Sequence, residues 1–241
     1  LNVKKTLYWV FADLCAEKNT IKILADAYVS GVTLLGSTTG VTLDLNGHTI
    51  HADQSNPIVG VTGKATITDL TDSHQGKIEN TRMSSVCVSV NDEGNLTVDN
   101  ATITANNVDD NGLKYGIVSS GTLTLTALPD FSGNDYGIYI MNGSKIVIGG
   151  DITALPENFS RITLSVHKDY DDVELPFAFT NGYGAHCTIN PADLFEYRNK
   201  NGECTVQLVA GEAVATTSAT DFVAATKDAD GNITSFYAQD G

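Results

Sequence analysis

Residues 115–148 read YGIVSSGTLTLTALPDFSGNDYGIYIMNGSKIVI. Within this stretch Tyr115-Gly116-Ile117 returns as Tyr136-Gly137-Ile138, and Leu123-Thr124-Leu125 returns as Ile146-Val147-Ile148. The same short alternating segments continue in both directions. One row of apolar centres runs Leu43, Ile67, Val98, Leu125 and Ile148, at steps of 24, 31, 27 and 23 residues. A second row runs Ile50, Ile78, Ile103, Phe131 and Ile152, at steps of 28, 25, 28 and 21. A third holds Val59 and Val61, Val86 and Val88, Ile117, then Ile138 and Ile140. Three rows that share a period of roughly 25 residues mean three strands per coil of a stacked repeat. The fold expected is all-β: a right-handed parallel β-helix.

Along each strand successive residues face opposite ways. Val41, Leu43 and Leu45 are expected to point in, and Thr42 and Asp44 out. Asn46-Gly47, Gly94-Asn95, Ser120-Gly121 and Asn142-Gly143 supply residues that tolerate the left-handed backbone of sharp corners. Five or six coils about 4.8 Å apart make a rod roughly 25–30 Å long. An antiparallel sandwich explains the strand spacing but not the triple repeat.

An open solenoid end exposes unpaired backbone and needs a cap. Residues 1–20 are read as an N-terminal helical cap. Leu7, Val10, Phe11 and Leu14 within residues 6–17 have helical spacing. Residues 21–166 form the β-helix, entered through KIL (22–24) and VTLL (32–35). Residues 167–210 lose the period and gain aromatics, and are read as an irregular, β-rich C-terminal cap. Residues 211–241 are read as a small, polar linker followed by a terminal β-hairpin.

The 241 residues are 41% hydrophobic, enough for a continuous core. Only 18% are charged, against a usual figure of about 25%. The exterior must therefore be Thr, Asn, Ser and Gly. A net charge of −15 argues against nucleic acid, whose binding rests on cationic side chains, and against anionic membranes. Cys15, Cys87, Cys187 and Cys204 show no CxxC pair and no metal-ligand spacing. Cys87, between two valines, reads as a small core hydrophobe. Cys187 and Cys204 lie in one region, but nothing requires them to pair. The chain opens on Leu1 with no signal peptide or apolar span, and reads as a monomeric module of something longer.

The run TIKILADAYVSGVTLLGSTTGVTLDLNGHTI (20–50) resembles the opening coils of large surface proteins of Gram-positive gut bacteria. GNLTVDNATI (94–103) and GSKIVIGGDIT (143–153) are similar to later coils of the same proteins. LDLNGHTI (43–50) is the most specific of these motifs, and the likeness spans residues 6–166. It implies the pectate-lyase-like β-helix superfamily and a location outside the cell or on its surface. It implies little about activity, because fold and function separate in this architecture.

Enzymes of that superfamily cleave polysaccharides on the outside of one sheet, using carboxylates stacked on adjacent coils, with calcium and a basic residue in the lyases. Here the outward position after each first-row centre holds Asp44, Thr68, Asp99, Thr126 and Gly149. Two carboxylates are separated by a threonine coil, about 10 Å apart. Asp69 and Asp72 lie nearby, so Asp69, Asp72 and Asp99 are the candidates for any catalysis. His48 and His74, one coil apart, lack a third metal ligand. Asp228-x-Asp230-Gly231-Asn232 lacks the closing Glu of a calcium loop and reads as a hairpin turn. Tyr139, between inward Ile138 and Ile140, should face outward, where an aromatic ring can meet a sugar or a protein. The leading expectation is a non-catalytic surface module, an adhesin-like binder of glycan or host protein or a rigid spacer. It needs no cofactor. The alternatives are a polysaccharide lyase or hydrolase and a calcium-dependent carbohydrate-binding module.

Overall fold

The computed structural model describes residues 20–30, 33–82, 85–105, 112–217 and 222–238. The expected helix over 6–17, and Cys15 within it, lie outside these residues. The described chain is all-β, a parallel β-solenoid of about five turns. Its first sheet stacks Thr20–Lys22, Val41–Asp44, Lys64–Thr68, Asn95–Asp99, Thr122–Leu125, Ile146–Ile148 and Thr180–Asn181. The second stacks Ala27–Tyr28, Thr49–Ala52, Lys77–Asn80 and Thr102–Thr104. The third stacks Thr33–Leu35, Val59–Val61, Val86–Val90, Tyr115–Ser119, Tyr136–Ile140, Ile162–Lys168 and Phe195–Asn199, all parallel.

Leu43, Ile67, Val98, Leu125 and Ile148 are register partners on the first sheet. Ile50, Ile78 and Ile103 pair on the second. Phe131 continues that row through the Thr102–Asp130 bridge. These residues form one core that runs from Ile21 to Ala215. Ile67 and its neighbours are fully buried. Each such side chain contributes on the order of 1.5–3 kcal/mol when taken out of water.

Gly116 and Gly137 explain the near-identical YGI segments. A Cβ on Gly137 would lie 2.9 Å from the Phe131 side chain, and one on Gly116 would lie 2.7 Å from the Gly137 carbonyl oxygen. The missing side chains let the phenyl ring of Phe131 close the coil.

Several boundaries differ from the sequence reading. The first strand is Thr20–Lys22, which places Ile21 beside Leu43, rather than KIL at 22–24. In the third row Val59 and Val61 pair with Val88 and Val90, not with Val86 and Val88. Val86 is half-buried and pairs with Tyr115, whereas Cys87 and Val88 are both buried. Two consecutive buried residues break strict alternation and shift the register by two.

The parallel ladders also run past residue 166. Thr180 pairs with Ile146, and Tyr197 with Leu164, at steps of 34 and 33 residues. The step from Leu164 to Tyr197 holds two four-residue helices, Tyr183–His186 and Pro191–Leu194. Phe179, Tyr183, Phe195 and Tyr197 fill the interior of this last coil as an aromatic plug.

Residues 212–216 are not a linker. Glu212–Thr216 is a buried strand between Phe177–Ala178 and Thr205–Val209. Its small residues Ala213 and Ala215 fit close against the solenoid end, which is why its composition looks linker-like. Glu212, 5% exposed, accepts hydrogen bonds from Thr180 Oγ1 at 2.9 Å, Gly182 N at 3.1 Å and Tyr183 N at 3.3 Å. Phe222–Lys227 and Ile233–Ala238 form the expected terminal hairpin. Cys87, Cys187 and Cys204 are free thiols. Burial pushes the Cys87 thiol up to about 12, and its Sγ sits 3.0 Å from the carbonyl oxygen of Thr104.

Candidate functional site

The outer face of the first sheet is a ladder of threonines. Thr20, Thr42, Thr66, Thr97 and Thr124 are successive register partners. Lys64, Asn95 and Thr122 form a parallel row beside them. A groove of about 510 Å³ on this face is lined by Thr20, Thr42, Thr66, Thr97, Lys64 and Asn95 among others. Hydroxyl and amide groups at one coil spacing make a surface of alternating donors and acceptors, with threonine methyls between them.

Asp44, Thr68 and Asp99 occupy one row, in the order read from the sequence. Asp44 is only 2% exposed. Its Oδ1 accepts from Asn46 N at 2.9 Å and Leu70 N at 3.2 Å. Its Oδ2 lies 3.8 Å from Lys22 Nζ. Asp99 is half-buried and accepts from Thr68 Oγ1 at 3.2 Å.

Asp69 is 1% exposed and is held more tightly. Its Oδ1 accepts from Gly47 N at 3.0 Å, Thr71 N at 3.0 Å and Thr71 Oγ1 at 2.8 Å, while Oδ2 accepts from Gly76 N. Burial works to raise its pKa, but the Thr71, Gly76 and Gly47 donors outweigh burial and hold the carboxyl below its ordinary range. Asp69 therefore stays ionised with its lone pairs committed to the corner between the first and second sheets. Asp72 is exposed. The three candidates thus share a neighbourhood but not a common open cleft: one is braced, one half-buried against Thr68, and one in solvent.

Tyr139 faces outward on the third sheet, as expected, in register with Val118 and Ser165. Its ring stacks on His167 at 4.6 Å and meets Tyr115 and Tyr136 edge-on at 5.2 and 5.7 Å. Tyr115 and Tyr136 stack on each other at 5.6 Å. One face of Tyr139 is therefore taken by the protein itself. Burial first, then the neighbouring hydroxyls, pushes the Tyr115 phenol up to about 12 and raises that of Tyr139 as well.

Sequence spacing gave no hint that Ser165, His167 and Asp172 would meet. His167 Nε2 is 2.9 Å from Ser165 Oγ and 3.6 Å from Asp172 Oδ1. Both contacts fall on the same nitrogen, and Nδ1 is buried without a partner. A nucleophilic triad needs the carboxylate on one ring nitrogen and the hydroxyl on the other. Ser165 is also only 2% exposed. The trio packs rather than reacts.

On the second sheet Tyr28, His51 and Glu79 form another ladder. Tyr28 stacks on His51 at 4.8 Å, and His51 Nδ1 lies 2.9 Å from Glu79 Oε2. Glu79 Oε1 accepts from Lys77 Nζ at 2.5 Å. Burial opposes ionisation of Glu79, but Lys77 and His51 prevail and lower its pKa. His48 pairs with Asp26 at 3.4 Å, and His74 Nδ1 bonds the Asp69 carbonyl oxygen at 2.9 Å, so the two corner histidines do not converge. Asp228 accepts from the backbone amides of Asn232 at 2.8 Å and Asp230 at 3.0 Å, which closes the hairpin turn. Among the described residues no three His, Cys, Asp or Glu side chains form a group able to hold a metal ion. Among them, too, no helix is long and apolar enough to cross a membrane.

Comparisons with protein-family models, curated proteins and solved structures returned no match.

Proposed function

We propose that the chain is a non-catalytic extracellular module: a stiff rod that presents the threonine-lined face of its first sheet to a glycan. The observation that carries this reading is the groove lined by Thr20, Thr42, Thr66 and Thr97 of the threonine ladder and by Lys64 and Asn95 beside them. Apart from the Lys64 amine its lining is hydroxyl, amide and backbone, and the net charge of −15 opposes a polyanion, so the groove suits an uncharged polysaccharide best. The likeness of LDLNGHTI (43–50) to coils of Gram-positive gut-bacterial surface proteins, within the pectate-lyase-like superfamily, supports a place at the cell surface. Lyase or hydrolase chemistry draws less support, because Asp44 and Asp69 are buried and already hydrogen-bonded.

A second reading, a pure spacer, is favoured by the investment of outward polar groups in contacts between coils. Tyr28–His51–Glu79 and Tyr139–His167 are examples. A glycan array and a host-protein panel, each run with calcium and with chelator and scored for cleavage products, test the proposal. Calcium-independent retention of a neutral glycan without cleavage is expected. Cleavage overturns it, strictly calcium-dependent binding favours a calcium module, and silence on every spot leaves the spacer.

A further inference from the structure

The terminal hairpin meets the rod at three places. Ala225, Ile233 and Phe236 pack on the small apolar patch of Ala178, Val209 and Val214. Lys227 Nζ lies 3.7 Å from Glu212 Oε1. Lys145 Nζ, just ahead of the strand Ile146–Ile148, donates to Oδ1 of Asn232 at 3.1 Å across 87 residues of sequence. The carboxamide of Asn232 is itself held in place. Its Nδ2 donates to Asp228 Oδ2 at 3.3 Å, and its backbone N donates to Asp228 Oδ1 at 2.8 Å. An amine thus touches one end of a carboxamide while a carboxylate holds the other. Lys145 lines a cavity of about 270 Å³ whose wall includes Leu175, Pro176, Phe177 and Phe236.

We propose that Lys145 and Asn232 join in an intramolecular isopeptide bond that fastens the terminal hairpin to the rod. The neutral Nζ attacks Cγ of Asn232, the Nζ–Cγ bond forms, and the Cγ–Nδ2 bond breaks. A lysine ammonium and a carboxamide become a secondary amide and an ammonium ion, with no change in oxidation state and no co-reactant. Asp228 is the catalytic acid–base of the step. Its Oδ2 touches the leaving nitrogen, so a proton shed by Nζ and taken up there can be returned to Nδ2 as it departs. The attack needs an amine with a free lone pair, and desolvation of a lysine supplies one. Burial lowers the Lys145 pKa, although Glu212 and Asp228 work against it. Holding the two groups in hydrogen-bond contact replaces a bimolecular encounter, the condition under which such reactions accelerate most. An isolated two-stranded hairpin is marginally stable in water, so the cross-link would keep this one from peeling away. The inference stands on the Lys145–Asn232 contact and is independent of what the outer face binds.

Intact-mass spectrometry of the purified full chain, after incubation at neutral pH, tests it. The mass is expected to fall short of the sequence mass by one ammonia. Digestion should release a single branched peptide containing both Lys145 and Asn232. The Lys145→Ala and Asn232→Ala chains should each show their full calculated mass, and Asp228→Ala should slow or abolish the loss. A wild-type chain at full mass overturns the proposal. So does loss of ammonia with Lys145 recovered in a linear peptide, or a gain in mass from hydrolysis of Asn232 to aspartate.

Discussion

Replacing Asp69 by asparagine separates a corner brace from a catalytic acid. The carboxylate accepts four hydrogen bonds, from Gly47 N, Thr71 N, Thr71 Oγ1 and Gly76 N, at a site 1% exposed. Asparagine keeps one acceptor oxygen but turns an N–H donor toward Gly76 N, so two buried donors face each other. Gly76 cannot move aside freely: a Cβ built there would already lie 2.5 Å from Leu45 Cβ. Each buried donor left without a partner costs about 1–3 kcal/mol, and bonds to a charged acceptor are the stronger ones. Asp69→Asn should therefore cost about 3 kcal/mol. For a chain of this size, where 1 kcal/mol moves Tm by about 2–4 °C, that lowers Tm by about 6–12 °C. The pH dependence has a definite sign. The folded pKa lies below the ordinary value of 3.8, so the stabilisation is complete above that value and is lost as pH falls through the folded pKa. The gap between wild type and variant should thus be constant from neutral pH to about 5 and close below about 4. Urea denaturation across pH reads both effects, with exposed Asp72→Asn as the control, expected within about 0.5 kcal/mol of wild type. An Asp69→Asn chain as stable as wild type would refute the brace.

Gly137→Ala should destabilise by about 1–3 kcal/mol through overpacking against Phe131, read by thermal denaturation. Glu212→Gln should loosen the C-terminal sheet by about 2 kcal/mol, since it weakens the bonds from Thr180, Gly182 and Tyr183. Hydrogen exchange should localise that loss to residues 177–216. The Cys87 thiol, fully buried and raised to about 12, should resist an aromatic disulfide reagent at pH 8 in the native chain and react only after unfolding. Tyr139→Ala should cost about 2 kcal/mol from its stacked and edge-on ring contacts, with glycan retention on the opposing face unchanged.

The repeat was legible because it is carried by apolar residues at inward positions, where burial allows few substitutes. Leu43, Ile67, Val98, Leu125 and Ile148 could be aligned from spacing alone, and they are true register partners. The third row slipped by two because Val86-Cys87-Val88-Ser89-Val90 offers two equally apolar registers, and only the paired burial of Cys87 and Val88 chooses between them. The last coil is not legible because its steps lengthen to 33–34 residues, the one from Leu164 to Tyr197 around two short helices. The strand Glu212–Thr216 looked like a linker because tight packing demands the same small residues that flexibility does. At the candidate site the row Asp44–Thr68–Asp99 was readable. The burial of Asp44 and Asp69 was not, because it depends on corner loops that fold back over the strand ends. The same holds for Asn80, fully buried and bonded to the carbonyl oxygens of Gln54 and Val86. Tyr139 was placed correctly as outward, but its stacking on His167 comes from the next coil and a register that alternation does not specify.

The threonine face is tested most directly by one comparison: retention of a neutral polysaccharide by wild type, Thr66→Arg and Tyr139→Ala, with product release scored in the same samples. Thr66 lines the groove, where an arginine side chain would obstruct it. The expected result is binding by wild type and Tyr139→Ala, loss in Thr66→Arg, and no product from any chain. Binding that survives Thr66→Arg but disappears in Tyr139→Ala would contradict the account and move the site to the third sheet. Product release by wild type would contradict the non-catalytic reading outright.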